Sequence, residues 1–465
     1  MTFPEEIWTQ IFSHLIPQND PLSDEKYYPY RPLRTLCLVS RRFRRLAQPI
    51  LHHTVFMVDD KNWINREIKL LRTLHQSPSL ARAVRSLSVI SFPKLVEPPT
   101  FPGVAKLVED VLRSLDIPSL LKRQLEIKPF SNESVDGVPM ILALTTAVQH
   151  VDVTISDSHW HKRIAHQLAG SMQPGEPDPS RNYSHYGLPN LKDISINARY
   201  SPVNTGITSV EPVLRRSDVT SLRLAWVNWH SAWEETVPRP GNNFSLHSLI
   251  LDNCVVDEVT LKDILTWYPK LRRLSLNCAD GNSAIVPTDD EDDETPWTWR
   301  SSPFGDVLRE YGKYLEEFTL LTDYHRERSY AHGIEDDETV LGSLHELPSL
   351  RKMEVSFQDL FGDEDSDGIV NMDMNLLPPN LEEIVIPSSH DAYFDEAIAV
   401  IRSNSLPKLR RVTLRFTCRC LWDLSAIPDE EIPGWTYLEW KLLDKRPIKV
   451  RCLNFVKLPI EQNAL

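Results

Sequence analysis

Two blocks of apolar residues with helical spacing open the chain. In the first block, Ile7, Ile11 and Leu15 recur every four residues, so they form one apolar stripe on an amphipathic helix. Pro4 lies where a first helical turn tolerates proline, and Glu5 suits the positive end of the helix dipole. The pattern predicts a short helix with a single apolar face.

The second block predicts further helical structure between positions 33 and 51. Its apolar residues keep a period close to that of a helix and are Leu36, Val39, Phe43, Leu46 and Ile50. Ser40 is a candidate internal helix cap, and Pro49 is expected to end the helix. Because two or three short helices bury little apolar surface alone, we expect them to dock on another surface. A linker helix is expected over residues 57–80.

From residue 84 onward, a unit of apolar and variable positions repeats. Each unit opens with an apolar lead residue and continues through a short pattern, L-x-x-h-x-h, that predicts a strand. Helix-like stretches separate several strands, at 256–268, 338–347 and 394–403. The ten lead residues are Val84, Val148, Leu191, Val219, Leu246, Leu271, Leu315, Leu350, Leu381 and Leu409.

This repeat predicts an α/β fold in which a parallel β ladder is covered by helices on its outer face. Neither face of one unit can be buried alone, whereas stacking places the strand leucines of neighbouring units in a shared core. The pattern is typical of an irregular leucine-rich-repeat solenoid over residues 81–465. We expect one more degenerate unit around 104–115 and a strand-rich cap after Trp435. Strands of an ordinary α/β sheet are the alternative.

The two N-terminal blocks, FPEEIWTQIFSHL and LCLVSRRFRRLAQP, together resemble an F-box over residues 1–56. Phe3 departs from the usual leucine, and a polar insertion at 17–32 separates the blocks. The whole chain resembles fungal-type F-box proteins with an irregular leucine-rich-repeat tail. The residues that match the F-box pattern are Pro4, Glu6, Ile7, Ile11, Leu15, Val39, Ser40, Arg41 and Phe43.

The resemblance implies a substrate-recognition subunit of an SCF-type ubiquitin ligase. In such proteins the F-box docks on a Skp-type adaptor, which binds a cullin, and the repeat domain presents a protein substrate for ubiquitin-dependent degradation. Packing within the F-box is the alternative role for each adaptor-facing residue, and Leu46 and Ile50 are expected to pack on the linker helix. The residues expected to face the adaptor are Pro4, Ile7, Ile11, Leu15, Leu36, Val39 and Phe43.

Composition and charge narrow the classes of function. The 465-residue chain has a formal net charge of −14, which disfavours general binding to nucleic acid or anionic membranes. No apolar run reaches the length of a membrane span, and we expect no signal peptide because Met1 leads directly into the first predicted helix. The six cysteines are scattered, which favours reduced thiols in the cytoplasm, the nucleus or both.

Charged segments interrupt or precede the array. Acidic insertions at about 288–300, 335–338 and 362–368 are expected to be solvated loops, with contact to a basic partner as the alternative. Four arginines between 41 and 45 are expected to be the solvated face of an F-box helix. A nuclear-localisation or nucleic-acid role is the alternative for these arginines.

Motifs with a recognised chemistry are weak in this sequence. Residues 363–368 resemble the opening of a calcium loop, but Met374 stands where a glutamate ligand is required. The close pairs at 418–420 and 159–161 lack the second half of a zinc site. There is no P-loop, G-x-S-x-G or dinucleotide-binding motif. We therefore expect no cofactor, no metal and no enzymatic activity.

The third positions of five successive repeats form a row of alternating charge, called here the charged row. In parallel strands these positions are expected to lie side by side on the open face of the sheet, where opposite charges would stabilise the register modestly. The alternative is that this face binds a polar substrate surface. The charged row comprises Arg273, Glu317, Lys352, Glu383 and Arg411.

Two other functions compete with the ligase subunit. One is a scaffold in which the F-box binds the adaptor without ubiquitin transfer to a substrate. The other is a hydrolase or transferase hidden in the long segments between repeats, which would need a pocket lined by convergent titratable side chains.

Overall fold

The computed structural model comprises two compact units, Met1–Ala225 and Trp226–Leu465. No helix among the described residues is long and apolar enough to cross a membrane. The described residues are 4–15, 31–58, 63–90, 103–117, 119, 122, 125, 137–154, 158–169, 188–198, 205–231, 245–278, 301–322, 340–362, 373–387, 393–417, 435–445 and 448–457.

Three short helices form the N-terminal region of the first unit. They are α1 (Glu5–Ser13), α2 (Arg31–Val39) and α3 (Arg41–Leu51). Ser40 separates α2 from α3, and its side-chain oxygen accepts a hydrogen bond from the backbone N–H of Phe43 at 3.0 Å. The predicted internal cap is therefore confirmed, because this bond satisfies a donor that the first turn leaves unpaired.

Pro49 lies inside α3, so the prediction that it ends the helix is wrong. Proline removes one backbone donor, which is usually unfavourable within a helix. Here the helix continues to Leu51 because Ile50 and Leu51, which follow the proline, pack against the apolar core of the region. Tertiary packing thus outweighs the local preference.

A strand and two helices lead from this region into the repeats. They are β1 (Thr54–Val58), α4 (Trp63–Gln76) and α5 (Pro78–Ala81), and the end of β1 falls within the span predicted as a linker helix. α4 buries Ile68, Leu71 and Leu74. The sequence pattern missed β1 because His52 stands where a lead leucine would be, three residues before the buried Val55.

The first unit contains a parallel ladder in the order β1, β2, β3, β4, β6. Its further strands are β2 (Ser86–Ile90), β3 (His150–Thr154), β4 (Asp193–Asn197), the two-residue β5 (Thr205–Gly206) and β6 (Ser221–Ala225). Its further helices are α6 (Val104–Ser114), α7 (Val138–Leu144), α8 (Ser158–Ala169), the 3-10 turn Ile207–Ser209 and α9 (Glu211–Leu214). Since β2 pairs directly with β3, the degenerate strand unit expected around 104–115 is wrong, and that stretch is helix α6.

The second unit also contains a parallel ladder of strands, but its last strands pair antiparallel. Strands β8 to β13 form a parallel ladder in chain order, and β15 then pairs antiparallel with both β13 and β14. The strands are β7 (Val227–Asn228), β8 (Ser248–Cys254), β9 (Arg273–Cys278), β10 (Glu317–Leu321), β11 (Lys352–Glu354), β12 (Glu383–Ile386), β13 (Arg411–Thr417), β14 (Trp435–Lys445) and β15 (Ile448–Lys457). The predicted strand-rich end after Trp435 is confirmed.

Helices or turns connect the strands of the second unit. The elements are α10 (Glu258–Trp267), α11 (Ser301–Tyr311), α12 (Phe357–Phe361), the 3-10 turn Met374–Leu376 and α13 (Tyr393–Arg402). The helix predicted over 338–347 is wrong within its described part, because residues 340–347 form no helix. Gly342 adopts a left-handed φ of 73°, and the N–H groups of Leu341 and Leu344 bond to Asp359 and Leu376 instead of to the preceding turn.

All ten predicted lead residues are buried, and a β strand begins two positions after each of them. The next apolar position of each repeat is buried as well, for example Leu87 and Ile194 in the first unit and Phe318 and Met353 in the second. The repeat therefore builds each unit from a mixed α/β arrangement on a large parallel sheet. The predicted acidic insertions at about 288–300 and 335–338 lie outside the described residues, as does the one at 362–368 except for Gly362.

Candidate functional site

The three N-terminal helices enclose a small apolar core. Phe12, Leu33 and Ala47 are fully buried, one from each helix. Trp8 and Phe43 pack around Phe12, with ring centroids 5.8 Å apart for Trp8 and Phe12, 4.9 Å for Trp8 and Phe43, and 5.4 Å for Phe12 and Phe43. Such aromatic contacts contribute to stability beyond the area they bury, and here they join α1 to α3.

Ion pairs reinforce the contact between α1 and α3. The Glu5 carboxylate lies 3.5 Å from Nε of Arg42 and also contacts the guanidinium of Arg45. Two of the four arginines between 41 and 45 therefore pair with α1. Because these side chains are substantially exposed, each pair contributes modestly to stability, at about 0–1 kcal/mol.

The same helices expose large apolar side chains to solvent. The exposed fractions are 42% for Ile7, 45% for Ile11, 87% for Leu38 and 61% for Val39. Among the described residues, only two other large apolar side chains, Val259 and Tyr314, are comparably exposed. An isolated exposed leucine is ordinary, but four large aliphatic side chains exposed on two short helices indicate a docking surface for another protein. We call Ile7, Ile11, Leu38 and Val39 the exposed apolar set.

The structure divides the residues predicted to face an adaptor into two groups. Pro4, Ile7, Ile11 and Val39 are exposed. Leu15, Leu36 and Phe43 are partly buried and pack against the core of Phe12, Leu33 and Ala47. Leu46 and Ile50 pack on that core too, so the expectation that they pack on the linker helix is corrected.

Leu38 belongs to the exposed apolar set although it was not among the residues predicted to face an adaptor. In α2, Leu33, Leu36 and Cys37 contribute to the apolar core, whereas Leu38 and Val39 lie off that stripe. An apolar residue that breaks the helical period of the buried face is the signal that could have identified it.

The charged row lies across adjacent strands in direct register. The Cα partners are Arg273 and Glu317, Glu317 and Lys352, Lys352 and Glu383, and Glu383 and Arg411. The nitrogen–oxygen distances are 3.5 Å from Arg273 to Glu317, 3.6 Å from Lys352 to Glu383 and 3.6 Å from Arg411 to Glu383. The row therefore contains two groups of ion pairs, one between Arg273 and Glu317 and one in which Lys352 and Arg411 share Glu383.

A second row with the same alternation precedes it by one residue in each repeat. The positions are Arg272, Glu316, Arg351, Glu382 and Arg410, and Arg272 contacts Glu316. Each repeat therefore carries a pair of like charges that faces a pair of opposite charges on the next strand. Because two adjacent positions in each repeat face opposite charges on the next strand, the charges favour one order of the strands in the sheet. A surface that binds a charged partner would instead need uncompensated charge of one sign.

The free cysteines and the potential metal ligands among the described residues were compared with what thiol or metal chemistry needs. Burial raises the pKa of Cys254 to about 12 and that of Cys278 well above its ordinary value, so both thiols stay protonated at neutral pH. Burial also raises the pKa of Cys37, although the charge of Arg44 opposes this. No group of three or more potential metal-ligating side chains occurs among the described residues.

Of the three weak metal-binding motifs in the sequence, two lie outside the residues that the structure describes. The calcium-like segment at 363–368 and the cysteine pair at 418–420 lie outside the described residues. The histidine pair at 159–161 lies on α8.

Comparison with known proteins gives one finding that bears on this site. The family model described as F-box-like matches residues 2–58. This span contains all three N-terminal helices, the whole exposed apolar set and β1. No curated protein matches the chain.

Proposed function

We propose that the protein is the substrate-recognition subunit of an SCF-type ubiquitin ligase. The F-box-like region docks on a Skp-type adaptor and through it on a cullin. The ladder of both units is an irregular leucine-rich-repeat solenoid that binds a protein substrate. The chain itself is non-catalytic and acts in the cytoplasm, the nucleus or both.

One observation carries this proposal. The span that matches the F-box-like family is also the span in which four large aliphatic side chains remain exposed. The F-box-like region already has its own buried core, so these side chains are not needed to hold its helices together. Burying a leucine or isoleucine side chain in a complex contributes about 1.5–3 kcal/mol, so a few of them can supply much of a docking energy.

The proposed mechanism is proximity. When one surface of the chain holds the ligase and another holds the substrate, transfer of ubiquitin becomes effectively intramolecular. No catalytic side chain is required from this chain for that effect. The self-paired charged row favours a structural role, so we propose that substrate contacts lie elsewhere on the repeats.

A pull-down with matched double variants tests adaptor docking. The test variant is Ile7→Asp with Ile11→Asp, and it should abolish capture of a Skp-type adaptor because docking would bury two unpaired charges. The control is Thr9→Asp with Ser13→Asp, whose side chains are exposed and lie about 160–240° around α1 from the isoleucines. The control should retain the adaptor, since neither of its positions belongs to the exposed apolar set.

Two results would overturn or redirect the proposal. If wild type captures no adaptor, or if both double variants lose it equally, the exposed apolar set is not the docking surface. If the adaptor binds but no substrate is lost in a cullin-dependent manner, the chain is a scaffold that does not support ubiquitin transfer. Circular dichroism of each variant checks that the exposed substitutions leave the fold intact.

A further inference from the structure

The helices α2 and α3 are strongly basic, although the chain as a whole is acidic. Residues 31–51 contain six arginines and no acidic residue, whereas the chain has a formal net charge of −14. Arg41 and Arg42 lie in the first turn of α3, where the helix dipole disfavours positive charge. Arg41 and Arg45 are four residues apart, a spacing at which like charges on a helix repel. The charges as a group therefore do not serve the stability of the helix.

The described arginines of these helices divide into two groups. Arg42 and Arg45 pair with the Glu5 carboxylate of α1, so their charges are used within the F-box-like region. The other arginines whose side chains the structure describes are exposed and form no ion pair with an acidic side chain among the described residues. We call this second group the arginine rim, and it comprises Arg34, Arg41 and Arg44.

The arginine rim borders two members of the exposed apolar set, Leu38 and Val39. Arg34 precedes Leu38 by four residues on α2, so these two exposed side chains share one face of the helix. Arg41 follows Val39 by two residues, across the one-residue break between α2 and α3. Apolar and cationic side chains are therefore presented next to one another.

Arg44 lies close to the same part of α2. Burial raises the pKa of Cys37, and the positive charge of Arg44 opposes that shift, so the guanidinium lies near Cys37. Cys37 directly precedes Leu38 in the chain. All three members of the arginine rim thus lie around the part of α2 that exposes Leu38 and Val39.

We propose that the arginine rim steers an acidic Skp-type adaptor onto the exposed apolar set. An apolar surface bordered by unpaired cations is complementary to an apolar groove bordered by carboxylates. The chain outside α2 and α3 carries the excess of negative charge and repels such a partner, so an approaching adaptor is drawn to the F-box-like region. The inference rests on the proposed function and adds to it the charge of the partner and the residues that set the rate of docking.

The arginine rim acts on association more than on dissociation. Exposed ion pairs at the edge of an interface are solvated and contribute little to the stability of the bound state. Long-range attraction before contact instead raises the association rate, by about 10- to 1000-fold for strongly charged surfaces at low salt. The exposed apolar set governs how long the complex lasts, because its contacts are lost only on dissociation.

Stopped-flow association of the full chain with a purified Skp-type adaptor tests this division of roles. Raising the ionic strength from about 0.01 M to about 1 M shortens the screening length from about 30 Å to about 3 Å. Over that range the wild-type association rate constant should fall by about tenfold or more. The triple variant Arg34→Gln, Arg41→Gln and Arg44→Gln should associate about tenfold more slowly at low salt and match wild type at high salt. Its dissociation rate constant should stay within about twofold of wild type.

Two matched variants serve as controls. Lysine at all three positions of the arginine rim keeps the charge and should keep the wild-type association rate, since steering needs charge and not guanidinium geometry. Lys106→Gln, Lys270→Gln and Lys408→Gln together remove the same total charge from exposed positions in the repeats. This second control should associate within about twofold of the wild-type rate, because those charges lie away from the docking surface.

The measured rates decide between local steering and net charge. A slow glutamine variant of the arginine rim beside two controls of wild-type speed supports the inference. Equal rates for that variant and wild type, equal slowing by the repeat control, or a wild-type rate independent of salt overturns it and leaves the proposed function standing. Absence of adaptor binding by wild type overturns the proposed function and this inference together. Circular dichroism checks the fold of each variant, and Arg41→Gln with Arg44→Gln replaces the triple variant if that one does not fold.

Discussion

At the residue scale, the exposed fraction of a side chain separates docking from folding. Leu36 and Leu38 are two residues apart on α2, yet Leu36 packs against the core of the F-box-like region and Leu38 is 87% exposed. Ser40, by contrast, acts locally, because its capping bond involves only the next turn of the chain. Local roles can be predicted from spacing alone, whereas the division between Leu36 and Leu38 depends on where α1 and α3 lie.

Replacing Leu38 by alanine should weaken adaptor binding without destabilising the fold. If docking buries this side chain, its loss costs about 1–2 kcal/mol of binding free energy, or roughly five- to thirtyfold in affinity. The free energy of unfolding should change by less than about 0.5 kcal/mol, because the side chain makes little contact in the free protein. Isothermal titration with a Skp-type adaptor and denaturant unfolding measure the two quantities.

Leu36→Ala is the matched control for that experiment. It should destabilise the F-box-like region by about 2 kcal/mol or more, because it removes apolar contacts from a small core. Unchanged adaptor affinity in Leu38→Ala would remove this residue from the docking surface.

At the element scale, strand register determines what the charged side chains do. The spacing of the repeat predicts that Arg273, Glu317, Lys352, Glu383 and Arg411 share a face, and the pairing of the strands places them abreast. Their partners on neighbouring strands have the opposite charge, which penalises a slip by one repeat. Helical elements are less predictable, since the segment at 340–347 bonds to Asp359 and Leu376 and does not form a helix.

Reversing the charge of Lys352 should destabilise the second unit. Lys352 lies between Glu317 and Glu383, so Lys352→Glu places three carboxylates on adjacent strands. We expect a loss of about 1 kcal/mol at low salt and less at high salt, because these groups are partly exposed and screened. Denaturant unfolding at two salt concentrations measures the effect.

Lys408→Glu is the control for this reversal, since Lys408 is exposed in the loop before β13 and outside the charged row. Equal stability of the two variants would contradict a structural role for the charged row. Unchanged stability together with lost substrate capture would instead make this face the substrate site.

At the scale of the whole molecule, buried ionisable groups link folding to pH. Burial opposes ionisation of Asp257, but hydrogen bonds from Ser231 and Thr260 outweigh it and lower its pKa. Burial similarly opposes ionisation of Asp218, and Arg216 outweighs it, so that pKa is lowered as well. These carboxylates contribute stability above their ordinary pKa near 4, and the contribution is lost as pH falls through their folded pKa values.

The histidines at the junction of α3 and β1 should add a separate step at higher pH. Burial lowers the pKa of His52 and His53, so the unfolded chain binds more protons than the folded chain below about pH 6.5. The free energy of unfolding should therefore decrease as pH falls from 7 through this range. Denaturant unfolding at a series of pH values, followed by circular dichroism, measures the slope.

The double variant His52→Gln with His53→Gln isolates that step. It should flatten the pH dependence between about 7 and 5 and leave the acid step of the aspartates in place. A slope equal to that of wild type would show that neither histidine is responsible.

The sequence by itself determined the elements whose signals are local or periodic. Spacing alone identified the ten lead residues, the cap at Ser40 and the order of charges in the charged row, because burial in a stacked ladder imposes a strict period on the chain. The F-box-like region could be recognised for the same reason, since its helices carry a fixed order of apolar positions. These features need no knowledge of distant contacts.

Only the tertiary structure decided the features that depend on contacts distant in sequence. β1 forms although His52 replaces a lead leucine, because β2 offers it a partner. Pro49 stays within α3 because Ile50 and Leu51 pack beyond it. The contrast between Leu36 and Leu38 arises because helix packing brings separate segments together, and no local pattern in the chain encodes that proximity.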